Sequence, residues 1–107
     1  MKDKMGDKQR LGHILDAITE IESYIAGAEF SIFFSNSMMR FASIKQIEII
    51  GEAANYITQE KWQQITGMRN ILIHEYFGVD VNLVWQVIIN DIPALKSAVQ
   101  KIYIAIR

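Results

Sequence analysis

LGHILDAITEIESYIAG, residues 11–27, decides the fold class. Leu11, Ile14, Leu15, Ile18, Ile21 and Ile25 recur at steps of three and four, while Asp16, Glu20 and Glu22 fall mostly on the other side. That is the period of a helix with one apolar face, not the two-residue alternation of a half-buried strand. Gly27 is the natural terminator, because glycine accepts the left-handed conformation in which helices commonly end.

The same period returns toward the C-terminus. The stretch from Phe30 to Asn36, with Phe30, Phe33 and Phe34, reads either as an aromatic loop packed under the core or as the end of the first helix. Asn36 or Ser37 can cap a second helix. That helix sets Phe41, Ile44, Ile47, Ile50, Ala54 and Ile57 along one face, with Ile49, Ala53 and Tyr56 widening the stripe. A third helix is predicted over residues 62–76, stopped by Gly78. Asp80 then caps a fourth, which carries Val84, Trp85, Val87 and Ile88. Asp91 and Pro93 mark a restart into a last helix with Leu95, Ala98, Val99, Ile102 and Ile106, since proline fits a helix's first turn. No alternating segment or Asn-Gly turn competes. The expectation is an all-α, antiparallel four- to five-helix bundle in one domain, residues 1–107.

Composition narrows the chemistry. Half of the 107 residues are apolar and 21% are charged, the balance of a folded globular chain. The absence of cysteine excludes disulfides and thiolate metal sites and fits a reducing compartment. With two histidines and no cysteine, a dedicated transition-metal site is not expected. No Gly-rich phosphate loop is present, so an NTPase is not expected either. The charged start, MKDKMGDKQR, is unlike a signal peptide, and no run approaches the roughly 20 apolar residues of a membrane span. A cytoplasmic protein without a membrane partner is expected. The net charge of -1 argues against a broad basic face, so any contact with nucleic acid must be local. Arg40, Lys45 and Lys61 are candidate contacts of that kind.

One short polar run stands out, Gly67-Met68-Arg69-Asn70-Ile71-Leu72-Ile73-His74-Glu75-Tyr76. On a helix, Asn70 and His74 are four apart and share a face, so the Asn70 side chain can fix an imidazole tautomer. Arg69 lies five residues before His74, about 140° around the axis, within reach of the same groove for a long side chain. Tyr76 falls at the helix end, where its hydroxyl can turn back toward His74. A single histidine in an apolar helix is more often structural than catalytic, and the Arg-to-His spacing alone is weak evidence. Glu52, in a mostly apolar helix, either orients such a site or is a solvated charge. His13 has no polar partner nearby in sequence and reads as a surface residue.

The flanking residues add to this. Arg69, His74 and Tyr76 match the Arg-x4-His-x-Tyr motif of the HepT-like branch of the HEPN superfamily, and the whole string GMRNILIHEYFGVD resembles that family's signature. IEIIGEAA, residues 47–54, is a second match, and the stretch from Val84-Trp85 to Asp91-Ile92-Pro93 is a third. The resemblance spans nearly the whole chain. It implies a HEPN-like helical fold and a metal-independent endoribonuclease acting on RNA without a cofactor. It further implies a toxin of a type VII toxin-antitoxin system, active as a homodimer or higher oligomer. Arg69 and His74 would be catalytic; Asn70, by its place on the His74 face, and Glu52, which could pair with Arg69 or Lys45, are the candidate supporting residues. The implied partner is a minimal nucleotidyltransferase antitoxin that adenylylates Tyr76. A competing reading is a non-catalytic helical subunit of HEPN type that docks a nucleotidyltransferase or binds a nucleotide.

Overall fold

The computed structural model describes residues 4–58 and 80–106. These form α1 (Lys4–Ile25), α2 (Phe30–Ser35), α3 (Ser37–Ala54), α4 (Val81–Gln86) and α5 (Ile92–Ala105), with a π-helical turn, Val87–Asp91, between the last two. No strand occurs among the described residues, so the all-α expectation holds. The third helix expected over residues 62–76 lies outside them.

The helix boundaries have local causes. Gly27 takes a φ of +75° and ends the first helical segment, and Ala28 N–H closes back on the Ile25 carbonyl at 2.8 Å. The Asn36 side chain accepts from Met39 N–H at 3.0 Å and starts α3; the Asp80 side chain accepts from Leu83 N–H at 3.0 Å and starts α4. Each cap satisfies a helix N–H that has no partner within the helix, a contribution of about 1 kcal/mol.

α1 packs against α3 and α5, and its predicted stripe is the center of the core: Leu11, Ile14, Ile18 and Ile21 are fully buried. Ile47, Ile50, Ala53, Ala54 and Ile57 face them from α3 and its C-terminal turn, and Leu95, Val99 and Ile102 from α5. Gly12 faces the Tyr103 side chain of α5, and a Cβ there would stand 3.4 Å from Tyr103 Cε1, about ordinary contact distance. Glu22 and Lys96 join α1 to α5 at 2.9 Å, an exposed pair worth a few tenths of a kcal/mol.

Two expectations need correction. The Phe30 stretch is neither loop nor helix end but a separate six-residue helix. It is held by Phe33, which is fully buried with its ring centroid 4.9 Å from that of Trp85. Phe41 does not join the buried face of α3; it is 60% exposed, because steps of three drift around the helix and set it about 180° from Ile50, while Ser43 and Ile47 hold the buried side. The restart expected at Asp91 and Pro93 is where α5 begins, at Ile92 with Pro93 in the first turn, but no break precedes it. The backbone keeps helical angles through Val87, Asp91 and Ile92, and Ile92 N–H bonds the Val87 carbonyl five residues back. Proline has no N–H to donate and its ring crowds the carbonyl four residues earlier, and the wider π turn accommodates both.

Candidate functional site

Arg69, Asn70, His74 and Tyr76 lie outside the described residues. The structure places the chain that leads into the polar run and, of the two supporting residues, Glu52.

Beyond Ala54 the chain tightens into i-to-i+3 turns, with Tyr56 N–H on the Ala53 carbonyl and Ile57 N–H on the Ala54 carbonyl, both at 3.1 Å. This winding delivers Thr58 to the start of α1, where Asp7 is only 2% exposed. The Asp7 carboxylate accepts from Thr58 N–H at 3.0 Å and from Thr58 Oγ1 at 2.8 Å. Hydrogen bonds to an ionised group contribute roughly 1.5–3 kcal/mol, so this contact fixes where the chain enters residues 59–79. Sequence reasoning misses it: Asp7 sits in a charged N-terminal run that reads as solvated, and its partner is 51 positions away.

One turn along α1, a groove of about 160 Å³ opens between α1 and the end of α3. Arg10 and His13 line it from α1, and Ile49, Glu52, Ala53 and Tyr56 from the other side. The Arg10 guanidinium lies over the Tyr56 ring, 4.7 Å from its centroid. Glu52 is exposed and makes no ion pair with Arg10, although both border the same space. His13 is exposed, as expected, yet it shares the groove with Glu52. A shallower depression on the other flank of His13 is bordered by Lys8, Asp16 and Tyr103. Arg10, His13 and Tyr56 carry no signal in sequence, because only the packing of α1 on α3 brings them together.

Of the candidate basic contacts, Arg40 donates to the Phe34 carbonyl and stacks near Phe41, while Lys45 is exposed; Lys61 lies outside the described residues. Among the described residues no group of three or more His, Asp or Glu side chains is placed to hold a metal ion, and no helix is long and apolar enough to cross a membrane.

The family model described as ribonuclease HepT-like matches residues 14–102. A protein of Methanocaldococcus jannaschii named Putative RNase MJ1380 is 36% identical over 87% of this chain and 93% of its own length. A second from that organism, Gamma-glutamylcyclotransferase and putative RNase MJ0434, is 41% identical over 86% of this chain and 45% of its own. Probable ribonuclease HepT of Thermococcus cleftensis is 36% identical over 92% and 97%. No solved structure gives a significant match.

Proposed function

From the premise that this chain belongs to the HepT-like ribonuclease family of the HEPN superfamily, we propose that it is a metal-independent endoribonuclease, the toxin of a type VII toxin-antitoxin pair. The observation that carries the reading is the family match across residues 14–102, a span that contains the complete Arg69-x4-His74-x-Tyr76 motif. It favours an enzyme over a non-catalytic docking subunit, because a docking role alone needs neither the arginine nor the histidine.

The chemistry follows from these side chains. An imidazole near neutral pH takes the proton from an RNA 2'-hydroxyl, and the alkoxide attacks the adjacent phosphorus. The bond to the leaving 5'-oxygen breaks as a second acid protonates that oxygen, leaving a 2',3'-cyclic phosphate and a 5'-hydroxyl. Arg69 offers the planar fork of donors that suits phosphate oxygens and stabilises the added charge of the transition state. Asn70 holds the His74 tautomer. One histidine is poorly placed to act on both sides of one phosphate, and a two-fold homodimer supplies it twice.

A dimer is supported by apolar side chains left in water at the α2–α3 corner: Ile32, Phe34, Met38 and Phe41 are 50%, 58%, 81% and 60% exposed. Such clustering is unusual for a monomer surface. Copies of wild-type and His74→Ala chain, coexpressed in varied ratio, test the shared cleft. If both histidines serve one phosphate, activity follows the square of the wild-type fraction, about a quarter for an equal mixture. A linear fall, to about a half, overturns the shared cleft.

Tyr76 is the proposed switch. An adenylate on its hydroxyl places a phosphodiester and a base in the cleft and repels an RNA phosphate. The donor is the partner nucleotidyltransferase, which transfers AMP from ATP to the phenol oxygen with release of pyrophosphate. Intact mass after coexpression with that partner is expected to rise by one adenylate per chain and to stay unchanged in Tyr76→Phe. An unmodified wild-type chain counts against the switch.

A further inference from the structure

The groove between α1 and α3 holds two opposite charges that do not neutralise each other. Arg10 spends one face of its guanidinium on the Tyr56 ring, and Glu52 has no ion-pair partner among the described residues. An unpaired carboxylate beside a guanidinium is a poor site for a phosphate, which the carboxylate repels. It suits a neutral, flat ligand that offers donors on one edge and acceptors on the next. The volume, about 160 Å³, is well below the roughly 300 Å³ at which pockets for drug-sized ligands begin, so it fits one ring system. Ile49 and Ala53 give it an apolar wall, and the Arg10–Tyr56 stack gives it a planar one.

We infer that this groove is a nucleobase subsite for single-stranded RNA with a preference for guanine. Unstacked bases are read by stacking on aromatic rings and guanidinium planes and by hydrogen bonds to their edges. Guanine carries two adjacent donors, N1–H and N2–H, that match both oxygens of the Glu52 carboxylate. Its O6 and N7 are acceptors that match the donors of Arg10. Adenine, cytosine and uracil carry neither that adjacent pair of donors nor the O6/N7 pair of acceptors. Tyr56 stands two residues before Thr58, the residue Asp7 anchors, so the subsite borders the entry to the segment carrying Arg69 and His74. The inference rests on the ribonuclease reading for one point only, that the base belongs to an RNA chain.

Titrating wild-type protein with GMP, AMP, CMP and UMP, while following the His13 imidazole and Tyr56 ring resonances by NMR, tests it. GMP is expected to shift both sets of signals and to bind about 10- to 100-fold more tightly than the other three, the discrimination one bidentate pair provides. Glu52→Gln, an exposed change that keeps side-chain size, is expected to abolish that preference. Equal affinity for all four, shifts produced equally by inorganic phosphate, or no response at His13 and Tyr56 overturns the inference. Cleavage assays on oligoribonucleotides with and without guanine, run in parallel, separate the two readings. GMP binding without cleavage overturns only the nuclease reading, and cleavage without GMP binding overturns only the subsite.

Discussion

Replacing His74 by alanine is expected to slow RNA cleavage by about 10²- to 10⁴-fold, the range in which a positioned proton-transfer group contributes. The loss should appear in the cleavage step under single-turnover conditions, because an imidazole that moves a proton acts on the transition state more than on bound RNA. If the proposed dimer sets both copies of the histidine in one cleft, the substitution removes the base and the acid together, and the effect falls toward the upper end. Cleavage by the wild type should persist in excess chelator, since neither the imidazole nor the guanidinium needs a metal ion to do this chemistry. In cells, growth arrest on expression should disappear with the same substitution. Retained cleavage in a folded His74→Ala protein would remove this histidine from the mechanism, and with it the case for a shared cleft.

Much of the fold is legible wherever the controlling interactions are local. The α1 stripe from Leu11 to Ile21 and the caps at Asn36 and Asp80 act within four residues of one another, and each is where periodicity and cap chemistry put it. What escapes is what depends on residues distant in sequence. Six residues are too few to show a helical period, so α2 declares itself only through the burial of Phe33 against Trp85. Phe41 follows the three-residue steps of α3 and is still exposed, because each such step drifts by about 60° and three of them carry it to the far side of the helix from Ile50. The π turn before Pro93 resolves a steric conflict in a way that a breaker rule does not anticipate. The candidate site divides along the same line. Glu52 stands out by its place in an apolar helix, and it does border a groove. Arg10 and His13 join it from another helix, and Asp7 is hidden by its charged surroundings.

Phe33→Ala is expected to cost about 3–5 kcal/mol in the free energy of unfolding, the usual range for truncating a buried phenylalanine. Three features place it there. The ring is fully buried, so the deletion leaves a cavity rather than a dent in the surface. Its tilted contact with Trp85, centroids 4.9 Å apart, adds an aromatic pair term of about 0.5–1.5 kcal/mol beyond area alone. And α2 has no stability of its own: a six-residue helix lies far below the length that persists in isolation, and Glu29 at its start provides no side-chain cap. Loss of the anchor therefore threatens the whole α2 segment. For a domain stable by roughly 5–15 kcal/mol, this is a large fraction of the total. Phe34→Ala is the internal control, being one residue away and 58% exposed with only a tilted ring contact to Phe30 at 5.9 Å, so its effect on a monomer should stay within about 1 kcal/mol. The two substitutions also separate folding from assembly. If the α2–α3 corner meets a second copy, Phe34→Ala weakens self-association in sedimentation at an almost unchanged monomer stability, whereas Phe33→Ala lowers the unfolding midpoint at every concentration. A Phe33→Ala protein that unfolds within about 1 kcal/mol of the wild type, well under the cost of a buried-ring cavity, would mean that α2 is not held by this ring, and that the apolar corner it presents is not a fixed surface on which a partner copy can seat.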